Sequence, residues 1–123
     1  MEFDELEKAI RASWDEQTCY PGWADDWTKE NPAYGQCVVT ALVVQDYYGG
    51  DLAFCKEHFH YWNILPNNKY VDLTREQFPV GTDFSVDMIR SRESILSGDR
   101  ALKAKTKERY ELLKNKIDKI LDS

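Results

Sequence analysis

No run of about 18 apolar residues occurs in the 123-residue chain, so no segment can span a bilayer as a helix, and no membrane partner is expected. Histidine is scarce, with His58 and His60 the only two, and cysteine is both scarce and odd in number: Cys19, Cys37 and Cys55. The first residues, Met-Glu-Phe-Asp-Glu, lack the basic and then apolar pattern of a secretory signal, so the expected compartment is the cytoplasm. There an odd cysteine count argues against a disulfide framework and leaves at least one thiol free. No Cys-x-x-Cys pair is present. Cys55, His58 and His60 cluster within a short stretch, but that spacing does not suit a structural zinc, and neither metal nor cofactor is expected. Basic residues are outnumbered, 16 against 22 acidic, for a net charge of −6. Such a chain repels phosphate backbones, and its one dense run of lysines is interleaved with acids, so a nucleic-acid partner is not expected. Internal repeats and low-complexity tracts are absent as well.

What is present is apolar and aromatic: 42% of residues are hydrophobic and 13% aromatic, including Trp14, Trp23, Trp27 and Trp62. That payload in a chain of this length predicts one core and a single domain over residues 1–123. Phe3, Leu6, Ile10 and Trp14 recur at spacings of three and four, an amphipathic helix over 3–14. Residues 15–35 lose the period, and Pro21-Gly22, Asn31-Pro32 and Gly35 punctuate a long loop. Residues 36–48 are apolar nearly all round. Their length and the Gly49-Gly50 stop favour a buried helix over a central strand. Strand-like runs follow at 51–55 and 57–65, then the turn residues 66–69, a returning strand at 70–73 and a further candidate strand near 84–89. Thr74-Arg75-Glu76-Gln77 matches a capping box, with Thr hydroxyl and Gln amide each satisfying the other's backbone donor. Asp99 to Asp122 reads as one long amphipathic helix with Leu102, Thr106, Tyr110, Leu113, Ile117 and Leu121 on one side. About three heptads is short for a dimerising coil, so packing on the body, and a monomer, are expected. The fold class is α+β: a buried helix on a small antiparallel sheet, with the C-terminal helix at 99–122 packed against them.

Chemistry can gather around Cys37. It opens the buried helix, where unpaired amides and the positive dipole end favour a thiolate. A base and a group to orient it complete a nucleophile. His60 lies on a strand, sharing a face with Trp62 and with His58, which is the rival base. A three-residue loop would pair Trp62 with Asp72 and set Asp72 diagonally to His60, within reach of an imidazole. A two-residue loop would put Asp72 on the opposite face. The catalytic reading therefore requires an odd loop, with Asn67 or Asn68 in the left-handed conformation. The plainer readings are that Cys37 is a small buried hydrophobe, that Asp72 leads into the Thr74 cap, and that Trp62 and Gln77 serve packing and capping.

The order of a Cys opening a helix, His-x-Trp on a strand and Asp-x-Thr on the next resembles the papain-like and transglutaminase-like superfamily. More closely, Asn-Pro-Ala-Tyr-Gly-Gln-Cys (31–37), Gln-Asp-Tyr-Tyr-Gly-Gly (45–50), His-Tyr-Trp-Asn (60–63) and Val-Asp-Leu-Thr-Arg-Glu-Gln-Phe (71–78) resemble the uncharacterised bacterial YunG-like family. The resemblance implies a papain-like core and cysteine-dependent acyl transfer or hydrolysis of an amide or thioester. The substrate would be a peptide or a small acyl compound. Cys37 would attack the carbonyl, His60 would carry the proton and Asp72 would fix the imidazole. The Cys37 amide and a side-chain donor, Gln36 or Asn31, would hold the oxyanion. Trp23, Trp27 and Trp62 are candidate cleft walls. The alternative is a non-catalytic binding module that keeps this fold, with a partner docking on the Trp23/Trp27 loop.

Overall fold

In the computed structural model, which describes residues 2–122, helix α1 spans Phe3–Ser13 and buries Leu6, Ala9 and Ile10, as the periodicity predicts. The long loop after it contains a 3₁₀ turn at Pro21–Asp26. Helix α2 spans Cys37–Tyr48 and stops at Gly49, whose φ is 72°. Val39, Val43 and Val44 pack with Leu6, Ile10 and Trp14, and with Leu113 and Ile117 of the C-terminal region. Ala41 and Leu42 pack instead with Leu52, Phe54, Tyr61 and Ile95. A helix clad on both sides has no polar face to keep, which is why the sequence here is apolar all round.

The sheet is built from β1 (Asp51–Cys55), β2 (His60–Ile64), β3 (Tyr70–Val71) and β4 (Met88–Arg90), in the order β3-β2-β1-β4 with antiparallel neighbours. Tyr61 contributes to the cluster shared with α2, and the Asn63 amide donates to the Ala41 carbonyl at 2.9 Å. Ala53, Cys55 and Trp62 form a separate cluster with Ile64 and Phe84 packed against it.

Four expectations need correction. β2 begins at His60, and residues 56–59 form a turn, so His58 is a turn residue and not a strand partner of His60. The capping box does not form: Thr74 makes no side-chain cap to the 3₁₀ turn at Arg75–Gln77, and Gln77 Oε1 accepts from the Gly35 amide at 3.1 Å. The candidate strand near 84–89 is shorter and later, at Met88–Arg90. The last segment is three helices: α3 (Arg92–Ser97), α4 (Asp99–Ala104) and α5 (Thr106–Leu121). Lys105, with φ 53° and ψ 40°, breaks the chain between α4 and α5. The break lets Leu113 and Ile117 be fully buried while Leu102, assigned by period to the same stripe, is 71% exposed.

Candidate functional site

The β2–β3 connection decides whether an acid can reach His60. Observed pairs are Asn63 with Val71 and Ile64 with Tyr70. Extending that register by one step sets Trp62 opposite Asp72. Leu65 and Lys69 close the turn through a 2.9 Å amide-to-carbonyl bond, leaving a three-residue loop. Within it Asn68 has φ 66°. This is the odd loop with a left-handed asparagine that the diagonal placement of His60 and Asp72 requires.

His60 is completely buried, and its Nε2 lies 2.7 Å from Asp72 Oδ2. In the neutral ring a carboxylate there holds the proton on Nε2 and leaves the lone pair on Nδ1, and in the imidazolium Nδ1 carries a proton as well. Nδ1 is itself buried without a hydrogen-bond partner. The ring is walled by Trp62, stacked at 5.7 Å, and by Phe78 and Phe84 at 4.8 and 4.7 Å. Burial lowers the His60 pKa, but Asp72 and the Cys37 thiol outweigh it and carry the value up to about 9. The Cys37 thiol is thus one of the groups that raise the His60 pKa, although no hydrogen bond joins it to Nδ1. Thr74 Oγ1 approaches the other Asp72 oxygen at 3.5 Å.

Cys37 is the first residue of α2, partly buried, and Gln36 before it makes no side-chain cap. The amides of that first turn have no partners within the helix. Beside Cys37 opens a cavity of about 550 Å³, whose walls include Val38, Trp23, Tyr61 and Arg109. Of the three tryptophans expected to wall a cleft, only Trp23 does so. Trp62 is 4% exposed behind His60, and Trp27 donates from Nε1 to the Pro32 carbonyl at 3.0 Å. Gln36 is fully buried and its Nε2 donates to the Asp15 carbonyl at 2.9 Å, so its amide faces the loop and not the cavity. Asn31, half-buried, also lies outside the cavity walls. His58 contacts Phe78 and Phe84, the same rings that flank His60. Cys19 is buried and burial pushes its thiol up to about 11. Among the described residues, no group of three or more His, Cys, Asp and Glu could hold a metal ion.

Sequence reasoning missed Arg109. It is 5% exposed, and its guanidinium donates to the Ala104 and Thr18 carbonyls at 2.8 and 3.1 Å. The sequence shows it only as one charge on an amphipathic helix. Its position depends on the turn at Lys105, which periodicity does not register.

A family model described as YunG protein matches residues 2–122. The uncharacterized protein YunG of Bacillus subtilis (strain 168) is 35% identical over 77 residues, which cover 61% of this chain. The matched part spans 62% of that relative's length. No solved structure matches the chain. No helix among the described residues is long and apolar enough to cross a membrane.

Proposed function

The chain belongs to the YunG family, and from that premise we propose that it is a cysteine-dependent acyl-transfer or amide/thioester-hydrolysing protein of the papain-like and transglutaminase-like kind. The observation that carries this reading is the buried, unpartnered Nδ1 of His60, whose Nε2 is held by Asp72. An orphaned buried nitrogen is unfavourable by about 1–3 kcal/mol in a structural histidine, and it is the atom a general base needs free.

In the proposed reaction the Cys37 proton is already held on His60 Nδ1, as the raised pKa of that ring favours, and the thiolate attacks the substrate carbonyl carbon. The amide of Cys37 at the start of α2 donates to the oxyanion. The imidazolium then protonates the departing amine or thiol, which leaves a thioester on Cys37. Water, or a second nucleophile activated by the same imidazole, releases the acyl group and restores the thiol. Asp72 keeps the tautomer and stabilises the imidazolium throughout.

Alkylation by iodoacetamide at pH 6, read at Cys37 by peptide mapping, tests the reading. Cys37 should react at least about tenfold faster than glutathione, and His60→Ala should remove most of that advantage. A native Cys37 that reacts no faster than glutathione, or equally fast without His60, would overturn it.

A further inference from the structure

The cavity beside Cys37 is lined by three arginines, Arg90, Arg100 and Arg109, in a chain whose net charge is −6. Ion pairs to carboxylates are formed by Arg11 and Arg92, but among the described residues by none of these three. Arg90 bonds only neutral oxygens, Tyr61 Oη at 3.2 Å and Ser94 Oγ at 3.3 and 3.4 Å. Arg100 sits over the Phe59 ring, its Cζ 4.4 Å from the centroid. Arg109 meets only backbone carbonyls, through Nε and Nη1. Its Nη2 makes no hydrogen bond and is not fully buried, and the residue lines the cavity. The one acidic residue in the walls is Asp99, which is exposed.

A structural role explains part of Arg109, because its Nε satisfies a carbonyl at the end of α4. It does not explain why a guanidinium so deeply buried lacks a counter-charge, since an unpaired buried ion is strongly unfavourable. Nor does it explain why two further unpaired guanidiniums open onto the same space. Guanidinium forks match carboxylates in shape as well as charge. Aromatic walls from Trp23, Phe59 and Tyr61 leave room for an apolar body between the charges and the sulfur.

We propose that this cavity binds the carboxylate of an acyl substrate, with Arg109 at its base and Arg90 and Arg100 at its sides, and so selects anionic amides or thioesters for Cys37. The inference rests on the acyl-transfer reading, but its test separates the two. Iodoacetate and iodoacetamide differ chiefly in charge, so the ratio of their rates at Cys37 reports the cavity's preference, while the iodoacetamide rate alone reports thiol activation. Relative to glutathione at the same pH and salt, the iodoacetate-to-iodoacetamide ratio should be raised on the order of tenfold and should fall as salt increases. Arg109→Gln should bring the ratio down to the glutathione value; any loss of thiolate stabilisation slows both reagents alike and cancels in the ratio. If Arg109→Gln melts out, the surface pair Arg90→Gln/Arg100→Gln decides, and should lower the ratio at least threefold. A ratio equal to that of glutathione overturns the inference even where activation is intact. So does a raised ratio indifferent to all three arginines, which would assign it to the His60 imidazolium. A slow Cys37 that still favours iodoacetate through the arginines keeps the anion site and overturns only the acyl-transfer chemistry.

Discussion

His60 Nε2 on β2 and Asp72 Oδ2, one residue past the end of β3, stand 2.7 Å apart, the imidazole wholly buried and the carboxyl mostly so. Because the folded-state pKa of His60 is raised from 6.5 to about 9, the protonated ring binds more tightly folded than unfolded. That contribution is fully present below pH 6.5 and is lost as pH rises through 9. Its size is on the order of 3 kcal/mol. Denaturant unfolding between pH 6 and 10 should show the wild type losing stability relative to Asp72→Asn across this window. Parallel curves for the two proteins would show that the pair is not coupled to folding.

Gly35 is fixed by two constraints at once. Its φ is 72°, and a Cβ there would lie 2.4 Å from Cys19 Sγ and 3.1 Å from the Tyr20 backbone nitrogen. Gly35→Ala should therefore destabilise by about 1–3 kcal/mol through backbone strain plus overlap. Gly81 has φ 88° with nothing within 4 Å, so Gly81→Ala should show the backbone part alone. The difference in thermal midpoint between the two variants isolates the overlap with Cys19 and the Tyr20 backbone. Equal losses would mean that these neighbours yield without strain.

The position of the turn beside the site was legible in the sequence because turn chemistry is local, but its register was not. The turn residues 66–69 marked where the chain reverses but left the loop at two or three residues; the structure has the three-residue loop, with Asn68 left-handed, that the diagonal placement of Asp72 against His60 requires. Burial of α2 was legible for the same kind of reason, since a helix between two layers is apolar on every side. The C-terminal region was not, because its periodic residues continue smoothly through Lys105 while the backbone does not. Nothing marks Lys105 as a left-handed residue when glycine or asparagine is the usual occupant. Gln77 was misread because a capping pattern and a long-range bond to Gly35 use the same amide, and only packing chooses between them. His58 was misread because strand ends are set by pairing: Cys55 meets His60, and the residues between must turn.

Asn68 makes the loop itself testable. Its φ of 66° suits asparagine and glycine, and its amide closes on the Leu65 carbonyl at 2.8 Å. Asn68→Gly should leave stability within about 0.5 kcal/mol of wild type, whereas Asn68→Val should lose about 1–2 kcal/mol, since a β-branched side chain is strained there. The valine variant should also lose alkylation selectivity at Cys37 if the turn positions Asp72. Unchanged stability in Asn68→Val would place the loop in another turn type.

Lys105 carries the corresponding test for the C-terminal helices. It is left-handed at φ 53°, ends α4, and precedes α5, with its carbonyl accepting from the Arg109 amide at 2.9 Å. A left-handed lysine is less favourable by about 1–2 kcal/mol than a right-handed one. Glycine removes that strain but gains freedom in the unfolded chain, so the two effects oppose each other. Lys105→Gly should match or exceed wild-type stability by up to about 1 kcal/mol. Lys105→Val should fall below it by about 1–2 kcal/mol, since branching at Cβ worsens the same strain. A continuous helix from 99 to 122 would reverse that order, because glycine in a helix interior is the worse choice. Thermal midpoints of the three proteins therefore report whether the chain breaks where Arg109 needs it to, one turn before the guanidinium enters the Cys37 cavity.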